Sequence, residues 1–161
     1  MSQKDRIFYP NFRDSIYMHK PKYQEDLFPH WYTQDIRFRD LDPLNHVNNA
    51  IFNTYYEEAR ISFIRIVPEL ADQMSEGYSF VLATISINYV KPVTYPAKLR
   101  IGSGVKKLGN SSITSFQAIY HMDTKELVSV AEASGVWFDL DKQRPSRLPE
   151  IEKKDKYMIE F

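Results

Sequence analysis

The chain is expected to fold as an α+β layer, one long helix wrapped by an antiparallel sheet of about five strands. Three observations predict this. Residues 49–67 set Phe52, Tyr55, Tyr56, Ala59, Phe63, Ile66 and Val67 at helical spacing. From Gly77 nearly to the end, long runs rich in β-branched residues alternate with turn residues. A single strand-like stretch precedes the helix, so one helix must cover one face of the whole sheet.

Taken in order, residues 1–32 read as an arm. They mix charge with Phe8, Tyr9, Phe12, Tyr17, Tyr23 and Phe28, carry Pro10, Pro21 and Pro29, and show no period of 2 or 3.6. Six aromatics are many for a solvated tail, which favours a strap packed on the body or on a second subunit. The domain proper is expected over 33–150, with 151–161 as a C-terminal tail. Thr33 to Arg39 alternates, with Ile36 and Phe38 opposite Asp35, Arg37 and Arg39, and reads as the first strand. The helix runs from about Asn49 to Val67 until Pro68 interrupts it, and Glu69 to Met74 allow a further short turn. Strands follow at Tyr78–Val90, Lys98–Lys107, Ser112–Met122 and Leu127–Leu140, the last ones as a meander with Gly109-Asn110 at a turn.

At 161 residues with zero formal net charge, the chain is one domain with room for a proper core, and no general binder of nucleic acid or anionic membrane. The absence of cysteine removes disulfides, thiol nucleophiles and thiolate metal ligands. No signal-like apolar segment follows Met1, and the best apolar run, Phe80 to Ile87, is far shorter than the ~20 residues of a membrane helix. A soluble, cytoplasmic protein is the expectation.

Chemistry concentrates between the first strand and the helix, in Arg39-Asp40-Leu41-Asp42-Pro43-Leu44-Asn45-His46-Val47-Asn48-Asn49. A helix start presents unpaired amide hydrogens and the positive end of a dipole, which stabilise a developing oxyanion. A carboxylate beside it can activate water or attack a carbonyl. The segment therefore reads as an acyl-transfer site.

The same block resembles the active-site segment of hotdog-fold acyl-CoA thioesterases of the 4-hydroxybenzoyl-CoA thioesterase type. In them Asp-x-Asp-x-x-Gly-His-Val-Asn-Asn precedes Tyr-x-x-Tyr-x-Glu-x-Ala-Arg. Asp40, Asp42, His46, Val47, Asn48, Asn49, Tyr55, Glu57, Ala59 and Arg60 fit that pattern, whereas Asn45 stands for the usual Gly and Phe52 for the first Tyr. Ile87-Asn88-Tyr89-Val90-Lys91-Pro92-Val93, Leu108-Gly109-Asn110-Ser111-Ser112 and Trp137-Phe138-Asp139-Leu140 extend the likeness over about Gln34 to Glu150.

The resemblance implies hydrolysis of acyl-CoA thioesters on a hotdog fold, with Asp42 as base or nucleophile and the backbone amide of Asn49 as oxyanion donor. His46 is expected to orient or support. Asn45, Tyr55, Glu57, Lys91, Gly109, Asn110, Ser111 and Ser112 are expected at the substrate. Each has a plainer alternative: Asp42-Pro43 as a turn start, Asn48 and Asn49 as caps, Glu57 paired with Arg60 at i,i+3. If the loop needs positive φ at Asn45, Asn is the least costly replacement for Gly. Plant-type acyl-carrier-protein thioesterases carry a comparable Asn and His, so an acyl-carrier-protein substrate stays open. No metal or further cofactor is expected, since His19, His30 and His121 have no ligand spacing with His46; CoA is part of the substrate. A homodimer or homotetramer is expected, with no nucleic-acid or membrane partner. The alternatives are a hotdog enoyl-CoA hydratase or dehydratase and a non-enzymatic acyl-CoA-binding protein.

Overall fold

The computed structural model describes residues 18–161. A helix α1 (Asn49–Arg65) and a short helix α2 (Pro68–Ser75) lie among β1 (His30–Asp35), β2 (Tyr78–Tyr89), β3 (Lys98–Leu108), β4 (Ser112–His121), β5 (Leu127–Asp139) and a two-residue β6 (Arg144–Pro145). The strands form one antiparallel sheet in the order β1-β3-β4-β5-β2, with β6 beside β5. The long expected elements are present, and the meander β3-β4-β5 is as read from the sequence. β2, though, pairs with β5 rather than with β3, which leaves this 12-residue strand at an edge.

The first strand differs from expectation. It starts at His30 and stops at Asp35, and Arg37–Asp40 closes into a 3₁₀ turn. The Asp40 carboxylate causes the stop, because Oδ2 accepts from both the backbone N–H and Nε of Arg37, at 3.0 and 3.2 Å. Phe38, expected to face inward, is 75% exposed as a result, while Ile36 is buried. Pro68 begins α2 at its first turn, where a missing N–H costs nothing.

α1 packs Phe52, Tyr55, Tyr56 and Ala59 onto Leu99, Ile101, Ile119, Val128 and Ala131 of the sheet. Polar groups inside this layer are partnered. Gln117 donates to Tyr56 O and to Ser103 Oγ and accepts from Arg60, and the Tyr56 hydroxyl donates to Ser129. These bonds set the position of α1 over the sheet as well as satisfying buried dipoles.

The opposite sheet face is also covered. Phe116, Ala118, Tyr120 and Val130 lie under Tyr23, Phe28 and Trp31 from the segment before and within β1, and under Ile159 from the C-terminus. Gly102 makes this possible: a Cβ there would sit 2.1 Å from the Phe28 ring. Burying Phe28 contributes about 1.5–3 kcal/mol. Of the arm's aromatics, Tyr23 and Phe28 thus pack on the body, whereas Phe8, Tyr9, Phe12 and Tyr17 lie outside the described residues. Among the described residues no helix is long and apolar enough to cross a membrane.

Candidate active site

The loop Asp40–Asn49 is a tight hairpin feeding α1. Asp42 O accepts from Asn45 N at 3.0 Å with Pro43 between them, a turn in which Pro supplies the favoured second position. Asn45 follows at φ 60°, the left-handed geometry that Asn tolerates in place of Gly. The two limbs then pair: Asp42 N–H donates to His46 O at 2.8 Å, Asn48 N–H to Asp40 O at 2.9 Å, and Leu41 bridges Val47. Val47 N–H donates to Val93 O and His46 bridges Thr94, which ties the hairpin to the chain just after β2.

Asp42 is half-buried. Its Oδ1 accepts from Leu44 N at 2.8 Å and His46 N at 3.2 Å, so one oxygen holds the turn; Oδ2 takes no hydrogen bond among the described residues. The turn role and a chemical role are therefore compatible, each using one carboxylate oxygen. His46 meets Asp42 through its backbone, and its ring makes no hydrogen bond among the described residues.

The helix start is arranged by Asn48. Its side chain accepts from Ala50 N at 2.9 Å and its carbonyl from Ile51 N, while the N–H of Asn49 has no partner among the described residues. The unpartnered amide at the positive end of α1 is thus that of Asn49. Asn49 O accepts from the Tyr89 hydroxyl at 3.1 Å, and Phe52 lies edge-on to the Tyr89 ring. Tyr89 fastens the end of β2 to the start of α1. The sequence placed it only inside a strand motif, and nothing about a tyrosine before Val-Lys-Pro announces this bond.

Asp40 is the second group without an assigned role in the sequence reading. It is 1% exposed and its Oδ2 also accepts from Tyr55 OH at 2.7 Å. Burial alone would raise its pKa, but the Tyr55 hydroxyl and the Arg37 amide and guanidinium outweigh that and hold the carboxyl below its ordinary value. Burial and the Asp40 charge push the Tyr55 hydroxyl up. Tyr55 was expected at the substrate; the structure places it fully inside the core, its hydroxyl engaged by Asp40.

The other expected contacts fall in three places. Glu57 is exposed on α1 beside an apolar cavity, and Arg60 turns to Gln117 (3.2 Å) rather than to Glu57. Lys91, just past β2, pairs with Glu126. Gly109, Asn110, Ser111 and Ser112 form the β3–β4 turn, closed by Gly109 N to Ser112 O at 2.8 Å and anchored by Trp137 N to Ser111 O and Leu148 N to Asn110 O. That turn lies at the far end of the sheet from the hairpin. Ser112 is opposite Val136 and Val136 opposite Val81, eight residues along β2 from Tyr89, or about 26 Å at 3.3 Å per residue. One chain brings Asp42, Asn45, His46 and Asn49 together and keeps the Gly109–Ser112 turn away from them. Among the described residues no group of three or more His, Asp or Glu could hold a metal ion.

The comparisons with known proteins agree with this architecture. Residues 36–154 match the model of the thioesterase-like superfamily. A chloroplastic acyl-acyl carrier protein thioesterase of Arabidopsis thaliana is 24% identical over 115 residues, 71% of this chain and 61% of that protein. The chain therefore spans about three-fifths of that plant relative. A long-chain acyl-CoA thioesterase of Escherichia coli is 29% identical over 125 residues, 77% of this chain and 95% of that protein. The crystal structure of a thioesterase of Thermus thermophilus complexed with coenzyme A and Zn superposes with a TM-score of 0.66 at 32% identity, over 78% of this chain and 89% of that one. With the helix, its enveloping sheet and the match over most of the domain in agreement, the chain belongs to the thioesterase-like superfamily and has the hotdog fold.

Proposed function

We propose that the protein hydrolyses acyl-CoA or acyl-carrier-protein thioesters to the free acid and thiol. The observation that carries this is the hairpin itself. It presents a carboxylate oxygen, on Asp42, and a helix-start amide, on Asn49, in one short loop, neither with a hydrogen bond among the described residues. The names of the relatives support the substrate class.

In this reading the carbonyl oxygen of the thioester accepts a hydrogen bond from the Asn49 N–H, whose dipole favours the charge that develops there. Asp42 Oδ2 then takes a proton from water attacking the carbonyl carbon, or attacks that carbon to give a mixed anhydride that water opens. Either route releases the thiol and needs the Asp42 carboxylate ionised. His46 supports through its backbone, by fixing Oδ1 and the hairpin limbs. Asn45 supplies the left-handed turn residue, and Tyr55 and Asp40 anchor the helix behind the site. CoA enters as part of the substrate.

The Gly109–Ser112 turn joins this site through a second copy, whereas Lys91, just past the Tyr89 end of β2, lies at the hairpin's own end of the strand. β2 is a 12-residue edge strand carrying Val81 and Leu82 at 46% and 43% exposure. Such an edge invites pairing with another strand. A two-fold antiparallel β2–β2 pairing sets the Val81 end of one copy, with its Gly109–Ser112 turn, against the Tyr89 end of the other, with its hairpin. The active form is therefore a homodimer or an assembly of homodimers.

The test is thiol release from short, medium, long and aromatic acyl-CoAs by the wild type, Asp42→Ala and Asp42→Asn. Loss of about 10²-fold or more in folded variants is expected for removal of the base. Unchanged rates would take Asp42 out of the chemistry. No thiol release by the wild type, with acyl-CoA still bound, would point to hydration of an enoyl ester or to binding alone.

A further inference from the structure

A cavity of about 370 Å³ lies between the second half of α1, α2, the sheet and the C-terminal segment. Its wall is mostly apolar, with Ile61, Ile64, Phe80, Leu82, Leu108 and Ile113 prominent. Its inner polar members are already engaged: Ser115 donates to Ala133 O and Arg60 to Gln117. Along α1 the cavity follows Glu57 to Arg65, eight residues and about 12 Å of helix. One extended alkyl chain of on the order of ten carbons spans that length, at about 1.25 Å of rise per C–C bond of ~1.5 Å. A single aromatic ring leaves most of it empty.

The wall beyond α1 is supplied by a segment past residue 154, where the family match ends. Tyr157 and Met158 line the cavity together with Ile151 and Lys154. The segment is pinned along its length. Glu152 N–H donates to Glu69 at 2.8 Å, the Tyr157 hydroxyl reaches Ile66 O at 3.4 Å, and Ile159 N–H donates to Val105 O at 2.9 Å beside the Val105–Met158 bridge. Tyr157 also meets Phe63 of α1 edge-on. A wall held at three points is stiff enough to limit what fits in front of it.

We propose that this cavity receives the alkyl chain of a medium-to-long aliphatic acyl group, and that Tyr157 and Met158 form the wall that sets its maximum length. The proposal rests on the thioesterase reading for the reaction and is separable from it in the test. Hydrolysis of straight-chain acyl-CoAs from butanoyl to octadecanoyl, and of benzoyl-CoA, is measured for the wild type, Met158→Ala and Met158→Trp. Displacement of a bound fluorescent fatty acid by dodecanoate is measured in parallel.

The wild type is expected to favour chains of about ten carbons or more over benzoyl. The ratio of long-chain to short-chain kcat/KM should fall about tenfold or more in Met158→Trp and shift toward longer chains in Met158→Ala, since each methylene in an apolar pocket is worth about 10-fold or more. Dodecanoate should displace the probe from the wild type and less well from Met158→Trp. A chain-length profile identical in all three proteins, or a preference for benzoyl, overturns the proposal. Absence of hydrolysis with intact displacement removes the reaction and leaves the cavity assignment supported; absence of displacement removes the cavity assignment.

Discussion

At the scale of single residues, the two acids of the loop divide the labour. Asp40 is buried and takes bonds from Tyr55 and from the Arg37 amide and guanidinium, so it holds β1, the hairpin and α1 together. Asp42, two residues on, keeps one oxygen without a hydrogen bond among the described residues. The pattern Asp-x-Asp shows both in the sequence, yet only burial tells which one is spent on structure. Asp40→Asn is expected to cost about 2 kcal/mol, the range for bonds to a charged group. Because the folded carboxyl titrates below its ordinary value, its contribution is fully present above the unfolded pKa of ~3.9 and is lost as pH falls through the folded one. Urea unfolding of wild type and Asp40→Asn should therefore differ at pH 7 and converge toward pH 3. An equal gap at both would show that the charge is not what stabilises. Asn45 was legible for a different reason. A single φ requirement has few solutions, and the φ of 60° is the one for which Asn replaces Gly at least cost.

At the scale of elements, α1 owes its start to Asn48 and its axis to tyrosines. Asn48 caps through Ala50 N, and Tyr55, Tyr56 and Arg60 bond Asp40, Ser129 and Gln117 beneath the helix. Asn49 presents its amide, and its side chain is exposed. Asn48→Ala is expected to lower stability by about 1 kcal/mol, while Asn49→Ala leaves stability within about 0.5 kcal/mol and retains hydrolysis. Thermal melting alongside thiol release separates the two, and a large rate loss in a stable Asn49→Ala would assign the oxyanion contact to the side chain instead. The helix and the long strands were legible because their periods extend over ten residues or more. The end of β1 was not, because its alternation continues through Phe38 while the Asp40 carboxylate turns the backbone out of the sheet.

At the scale of the whole molecule, the sheet is covered on both faces and open at β2. Phe28 and Ile159 close one face over Gly102 and Gly104, and α1 closes the other. If two copies pair through β2, the hairpin of one works with the Gly109–Ser112 turn of the other. Mixing Asp42→Ala with a variant carrying Ser111→Asp should then restore activity, because a mixed dimer carries one intact site and one doubly damaged one. About a quarter of wild-type activity is expected from random reassortment of equal amounts. No recovery after unfolding and refolding the mixture would place the whole site within one chain.

The sequence by itself determined the class of fold, the element order and the loop on which the proposed chemistry rests, because these depend on local periodicity, turn residues and a contiguous motif. Only the tertiary structure decided that β2 borders β5, that Tyr55 belongs to the core, that Tyr89 fastens the helix start and that the C-terminal segment walls the cavity. The physical reason is common to all four. Each depends on which surfaces meet after the chain has folded back over many residues, and neither period nor spacing along the chain carries that information.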